Sequence, residues 1–208
     1  LGFTGFIGSI TGISAKRVSI SEIGVYFSDS TWGTESRFGY PFIFVLRDIL
    51  MYDNTVLEAT ARLQDAHRTC DLLLGVGHWN ASMGNGMDAD SNYTYFSGYQ
   101  YSHSVLNVYE WYNLEPYNQT WHPRIQDITY WAMDWDCPGY NQIMSEQLMK
   151  YYGSIDAENT IKYITAITQT GNLHIAIYDY YNDDVYISIA AKSDENTAEK
   201  YAYQRQFI

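Results

Sequence analysis

The sequence lacks several features that would point to other classes of protein. No apolar run approaches the roughly 18–20 residues that a membrane span needs, so no span is predicted. Four prolines and 15 glycines are too few for a low-complexity tract or a flexible linker. Twelve basic residues face 24 acidic ones, and the resulting charge of −12 argues against nucleic acid or an anionic membrane as the main partner.

Motifs for cofactors and metals are also missing. The sequence has no G-x-G-x-x-G pattern, no P-loop and no H-E-x-x-H pattern. Asp88, Asp90 and Asn92 are spaced like the start of a calcium loop, but Tyr93 stands where that loop requires glycine. Because the cysteines have no zinc-binding spacing either, we expect no cofactor and no metal.

Three glycosylation sequons begin at Asn80, Asn92 and Asn118, within the polar, tyrosine-rich stretch 78–120. Each sequon needs an exposed loop and passage through the secretory route to be used. Cys70 and Cys137 suit a disulfide, with each other or with a partner outside this chain, and two buried free thiols are the alternative. We therefore expect a secreted, extracellular or lysosomal glycoprotein.

In the first part of the chain, hydrophobic patterns predict a hairpin followed by two helices. Residues 3–13 predict a strand, and residues 18–21 alternate as a half-buried strand does. Pro41 at a first helical position begins one helix. A capping box at Thr55 begins a second helix, which we expect to reach Cys70.

The rest of the chain alternates strands with helices and shows no domain break, so residues 1–208 are predicted to form one domain. Antiparallel strands with paired helices indicate an α+β fold rather than a parallel sheet. The remaining predictions are strands at 72–77, 93–101, 104–111, 174–179 and 185–190, a helix over 143–152 that ends at Gly153, and a helix capped by Asp156.

Three blocks of sequence occur in an order that is typical of one family. The first block is residues 3–12. The second consists of residues 37–42 and 46–50, the helix capped by Thr55, and residues 68–75. The third is residues 170–179 and the strand that follows them. In this order they resemble the β-chain of N-terminal nucleophile hydrolases of the acid ceramidase and isopenicillin-N acyltransferase type. The secreted, ceramidase-like members are the most similar.

The resemblance implies a four-layer αββα sandwich, incomplete at both ends, that cleaves linear amides. In this family, self-cleavage makes a cysteine the first residue of the β-chain, where its thiolate attacks the amide and its α-amine is the base. Leu1 is not a cysteine, so we expect the nucleophile in a segment before it. The expected partners are this N-terminal segment or α-chain, a lipid-like amide substrate, and a homo-oligomer or filament.

Two residues correspond to family positions. Glu22 falls near an acidic position, where it would orient the substrate or the amine of the nucleophile; an ion pair with Lys16 or Arg17 is the alternative. Asn118 precedes a His-Pro pair as the oxyanion asparagine of the family does. A glycan on Asn118 would conflict with that role.

Other polar residues have structural alternatives. Arg37 and Arg47 could bind a carboxylate or phosphate, but for Arg47 a structural ion pair with Asp48 or a neighbouring acid is favoured. His174 could be a base, but a structural histidine in a strand is favoured. Ser14 departs from the asparagine that the family usually has in the turn after the first strand.

Three hypotheses follow. The first is the β-chain part of a secreted, ceramidase-like amidase or acylase. The second is an inactive, enzyme-derived extracellular structural or assembly glycoprotein, suggested by the missing cysteine and the sequon at Asn118. The third is a lipid- or glycan-binding module that uses some of the aromatic residues, which make up 17% of the sequence.

Overall fold

A computed structural model shows that the protein combines helices with antiparallel sheets, as the α+β prediction requires. The chain divides into two compact units, Leu1–Trp111 and Tyr112–Ile208. A single domain over 1–208 stays a prediction. The structure describes residues 1–2, 4–24, 38–67, 69, 72–78, 94–99, 106–107, 123, 125–126, 128, 130, 139–168, 173–191 and 198–207.

In the first unit, two helices pack against a five-stranded antiparallel sheet. The strands follow one another in chain order, so each strand pairs with the next one along the sequence. The elements are β1 (Gly12–Ile13), β2 (Val18–Gly24), α1 (Phe42–Tyr52), α2 (Val56–Asp65), β3 (Leu72–His78), β4 (Thr94–Tyr99) and β5 (Leu106–Asn107).

The hairpin of β1 and β2 forms as predicted, with Gly12 opposite Ile20. The Ser14 hydroxyl closes its turn by accepting a hydrogen bond of 3.2 Å from the Val18 N–H. Arg17 takes the left-handed conformation (φ 63°) that lets this turn close without a glycine. Ser14 therefore stabilises this turn through its hydroxyl group, which gives a structural reason for a serine at this position.

The predicted strand over 3–13 is wrong, because β1 contains only its last two residues. The segment before β1 bonds to helix α1 instead, and the Ser9 N–H donates to the Ile43 carbonyl at 2.9 Å. A Cβ atom at Gly8 would lie 2.6 Å from Cβ of Ile43, so this close approach requires glycine.

The cap of α2 agrees with the prediction, whereas the start of α1 and the end of α2 differ from it. Pro41 is the N-cap residue of α1 rather than its first helical residue. At α2, the Glu58 N–H donates to the Thr55 hydroxyl at 3.1 Å, which confirms the cap. The helix ends at Asp65 and not at Cys70, because the chain turns extended at Ala66.

The core of the first unit lies between the sheet and the two helices. Alternation along β2 and β3 directs one face of each strand towards α1 and α2. Ala59 of α2 is fully buried. The larger side chains from these four elements that are less than 2% exposed are Val18, Ile20, Leu46, Ile49, Leu63, Leu74 and Val76.

Among its described residues, the second unit has two longer helices, a short 3₁₀ helix (Ala198–Lys200) and a three-stranded antiparallel sheet. The predicted hairpin of its first two strands is confirmed. The third strand is not among the predicted strands, and three of its four residues, which are all exposed, are polar. The elements are α3 (Gly139–Lys150); α4, a continuous helix of Ala157–Asn159, Thr160–Thr165 and Ala166–Thr168; β6 (His174–Asp179); β7 (Asp184–Ile189); and β8 (Gln204–Phe207).

Helix α4 is capped as predicted and widens in its middle. The Asp156 carboxylate accepts a hydrogen bond of 2.7 Å from the Asn159 N–H. The segment Thr160–Thr165 is a π-helix, and the Thr165 hydroxyl lies 3.1 Å from the carbonyls of both Thr160 and Ile161. This hydroxyl bridges the i−4 and i−5 carbonyls and so supports the wider turn.

Candidate functional site

Glu22 is the sequence-predicted site residue whose position the structure describes, and it lies inside the sheet of the first unit. It is in β2 opposite Leu74, and strand alternation places it on the same face as Ile20. Both neighbours are at most 1% exposed. Burial among these apolar side chains raises the pKa of Glu22 above its ordinary value.

No ion pair of the described residues includes Glu22. The Lys16 ammonium, one of its two expected partners, donates to the carbonyl of Tyr52 at the end of α1, at 3.2 Å. A buried carboxyl group that has no cation beside it is more stable in its protonated than in its ionised form, relative to the same group in water. Such a group can donate a hydrogen bond, and it becomes ionised when an ammonium group approaches.

Buried hydroxyl groups lie at the hairpin of β1 and β2. Ser9, Thr11 and Ser19 are buried although they are polar. The carbonyl of Thr11 accepts a hydrogen bond of 2.7 Å from the amino nitrogen of Leu1, which therefore lies against this hairpin. Strand alternation places Ser19 on the opposite face of β2 from Glu22, so these hydroxyl groups do not form one site with the carboxyl group.

Arg47 has the structural role that the sequence predicted. Its Nη2 and Nε atoms lie 2.8 and 3.0 Å from Oδ1 of Asp48. Its Nη1 donates to the carbonyl of Ile7 at 3.3 Å, so the same side chain holds the segment before β1 against α1.

His174 is in β6 of the second unit, where burial lowers the pKa of its imidazole. Burial disfavours the charged form, as expected of a histidine built into a sheet. Its structural role nevertheless stays a prediction. The other predicted residues lie outside the described residues: Arg37, Cys70, Asn80, Asn92, Asn118 and Cys137.

Besides an exposed pair of Lys162 and Glu158 on α4, the described residues form two ion pairs that bury an aspartate and that the sequence does not predict. The Arg62 guanidinium binds the buried Asp53 carboxylate through two hydrogen bonds of 2.8 and 2.6 Å, and this contact raises the pKa of Arg62. In the second unit, Arg205 of β8 binds the fully buried Asp184 of β7 at 2.6 Å. The partners are 9 and 21 residues apart, so no local spacing signals either pair.

Two other kinds of feature, a metal cluster and a membrane-spanning helix, are absent from the described ranges. Among these residues, no group of three or more histidines, cysteines, aspartates or glutamates is placed to hold a metal ion. No helix in the same part of the chain is long and apolar enough to cross a membrane.

Comparison with known proteins finds similar sequences in one organism. All of the chain aligns with protein dcd1A of Dictyostelium discoideum at 35% identity, covering 45% of that protein. Protein dcd1B of the same organism is 29% identical over 91% of the chain, which covers 35% of its length. The chain thus spans less than half of these curated relatives, and no protein-family model matches it.

Proposed function

We propose that this chain is the β-chain part of a secreted or lysosomal ceramidase-like amidase or acylase of the N-terminal nucleophile type. In this proposal, the two sheets and their helices belong to an αββα sandwich. The nucleophile is a cysteine thiolate carried by a segment that precedes Leu1. The substrate is a linear amide with a lipid-like acyl chain.

The three family-like blocks support the proposal because each contributes to an element of the fold. The first block leads into the hairpin of β1 and β2, the second includes α1, and the third contains β6.

The observation that carries the proposal is the environment of Glu22. A carboxyl group without an ion pair among the described residues, beside Ile20 and Leu74, costs stability. Such groups occur preferentially where chemistry needs a shifted pKa. We assign Glu22 as a positioning residue that receives the α-amine of the nucleophile or the amide of the substrate.

The test uses the longer protein that includes the segment before Leu1. N-terminal sequencing of the mature material should reveal a chain that begins with cysteine. Replacing this cysteine by alanine should abolish fatty acid release from an N-acyl amide, because the attacking thiolate is lost.

Glu22→Gln should lower kcat about 100-fold, the loss expected when a reacting group is misplaced by about 1 Å, while the far-UV circular dichroism spectrum stays unchanged. Glu146→Gln is the matched control, since Glu146 is exposed on α3 and should retain full activity. A mature protein without a cysteine-initiated chain, or fatty acid release that survives the cysteine replacement, would refute the proposal. That outcome would favour an inactive, enzyme-derived glycoprotein.

A further inference from the structure

The backbone of β1 has an outer edge that faces away from β2. Among the described residues, β1 is the end strand of the sheet of the first unit. The Ser14 N–H donates to the Val18 carbonyl at 2.9 Å, so the backbone groups of Ser14 face β2. Because the backbone groups of successive residues point to opposite sides of a strand, those of Gly12 also face β2, whereas those of Thr11 and Ile13 face outwards.

The amino nitrogen of Leu1 lies at this outer edge. It donates to the Thr11 carbonyl at 2.7 Å, which is the kind of hydrogen bond that joins neighbouring strands. Leu1 and Thr11 are ten positions apart, and a connection this short joins antiparallel rather than parallel strands. Leu1 therefore has the place of a residue in an antiparallel strand beside β1.

The surroundings of this nitrogen suit a neutral peptide group better than a charged amine. The residue that accepts its hydrogen bond, Thr11, is only 2% exposed. Burial lowers the pKa of the Leu1 amino group, because the charged form loses solvation. A peptide N–H at the same place would make the same hydrogen bond without burying a charge. The edge of β1 is thus suited to a chain that continues before Leu1.

We propose that the residues immediately before Leu1 form a strand that pairs antiparallel with the outer edge of β1. The inference rests on the proposed function, which places a further segment before Leu1. Protein dcd1A likewise has chain outside the aligned region, which covers 45% of its length.

The register of this pairing follows from the hydrogen bond between Leu1 and Thr11. With Leu1 opposite Thr11, the residue two positions before Leu1 lies opposite Ile13 and bonds to its outward N–H and carbonyl groups. The added strand extends the five-stranded sheet and covers an edge that would otherwise be open to pairing with other chains.

The test uses the longer protein, with Ile13→Cys and a second cysteine at the residue two positions before Leu1. Hydrogen-bonded residues that oppose each other in antiparallel strands have Cα atoms about 5.5 Å apart, a distance that a disulfide spans. We expect mild oxidation to join the two introduced cysteines, and peptide mapping by mass spectrometry distinguishes this bond from any bond of Cys70 or Cys137.

The matched control moves the upstream cysteine by one residue. This shift turns its side chain to the other face of the sheet, so the disulfide yield should fall about tenfold or more.

A second measurement follows hydrogen exchange of the Ile13 amide in the longer protein without introduced cysteines. Leu1→Pro removes the N–H that bonds to Thr11, and it should speed exchange at Ile13 about tenfold, the effect of losing one hydrogen bond beside it. Leu1→Ala keeps the N–H and should leave the exchange rate unchanged.

Absence of the disulfide, or equal yields from the two upstream positions, would overturn the inference. An Ile13 amide that exchanges as fast as in an unstructured peptide would also overturn it. Neither measurement uses fatty acid release. An active enzyme without this disulfide would reject the added strand alone, whereas the disulfide in a protein without a cysteine-initiated chain would reject the amidase proposal alone.

Discussion

Replacing Arg62 by methionine should destabilise the first unit strongly. The substitution keeps much of the apolar volume of the side chain but leaves the Asp53 carboxylate, whose side chain is 7% exposed, without its cation. Loss of one partner from a buried ion pair typically costs about 3–5 kcal/mol. Because the Arg62 side chain is itself 33% exposed, we expect the lower end of this range, about 3 kcal/mol.

Arg47→Met is the matched control for this prediction. Arg47 also lies on a helix and also binds an aspartate, but its side chain is 39% exposed and its partner, Asp48, is more accessible than Asp53. A pair of this kind contributes about 1 kcal/mol or less. Arg47→Met also removes the hydrogen bond to the Ile7 carbonyl, so a larger loss in Arg62→Met than in Arg47→Met would be a conservative sign of the effect of burial.

The assay is urea denaturation followed by circular dichroism, with the free energy of unfolding obtained by linear extrapolation. A further variant, Asp53→Asn combined with Arg62→Met, should be more stable than Arg62→Met alone, because the buried charge is removed together with its partner. Equal losses for Arg62→Met and Arg47→Met, or no recovery in the double variant, would refute the reasoning.

Three further predictions concern stability. Burial raises the pKa of Glu22, so ionisation of this carboxyl group destabilises the folded protein as pH rises above the ordinary value of 4.5. Glu22→Gln should therefore be more stable than the wild type at neutral pH. A gain in stability that stays constant down to pH 3 in urea titrations would contradict this. Leu63→Ala should lower the free energy of unfolding by about 2–5 kcal/mol in the same assay, because it leaves a cavity in the core. Leu57→Ala, at a position that is 77% exposed, should lower it much less. Equal losses of stability in the two variants would show that Leu63 is not in the core. Asp156→Ala should cost about 1 kcal/mol by removing the cap of α4, and an unchanged melting temperature would argue against the cap.

Local features of the chain were predictable because the contacts that decide them join residues close in sequence. The caps at Thr55 and Asp156 depend on hydrogen bonds that span three residues. The turn between β1 and β2 closes within the segment that forms it, through Ser14 and Val18. In each case the side chain and its backbone partner are joined by a short loop, so little chain entropy opposes the contact.

The buried state of Glu22 could not be predicted in the same way. The sequence shows an acidic residue after an alternating strand, which is equally compatible with an exposed strand end. Its raised pKa comes from Leu74 and other apolar groups that reach it only when β2 pairs with β3. The sequence thus identified Glu22 as a candidate residue, but it could not predict that the side chain is buried or that its pKa is raised.

The sequence by itself determined the alternation of strands and helices, the helix caps and the excess of acidic residues. Tertiary structure decided that residues before β1 bond to α1, that β8 joins the second sheet, and that Asp53 meets Arg62. The physical reason is the range of the interactions. Periodicity and capping act within a few residues, whereas strand pairing, burial and ion pairing depend on groups that are brought together only after the chain has folded.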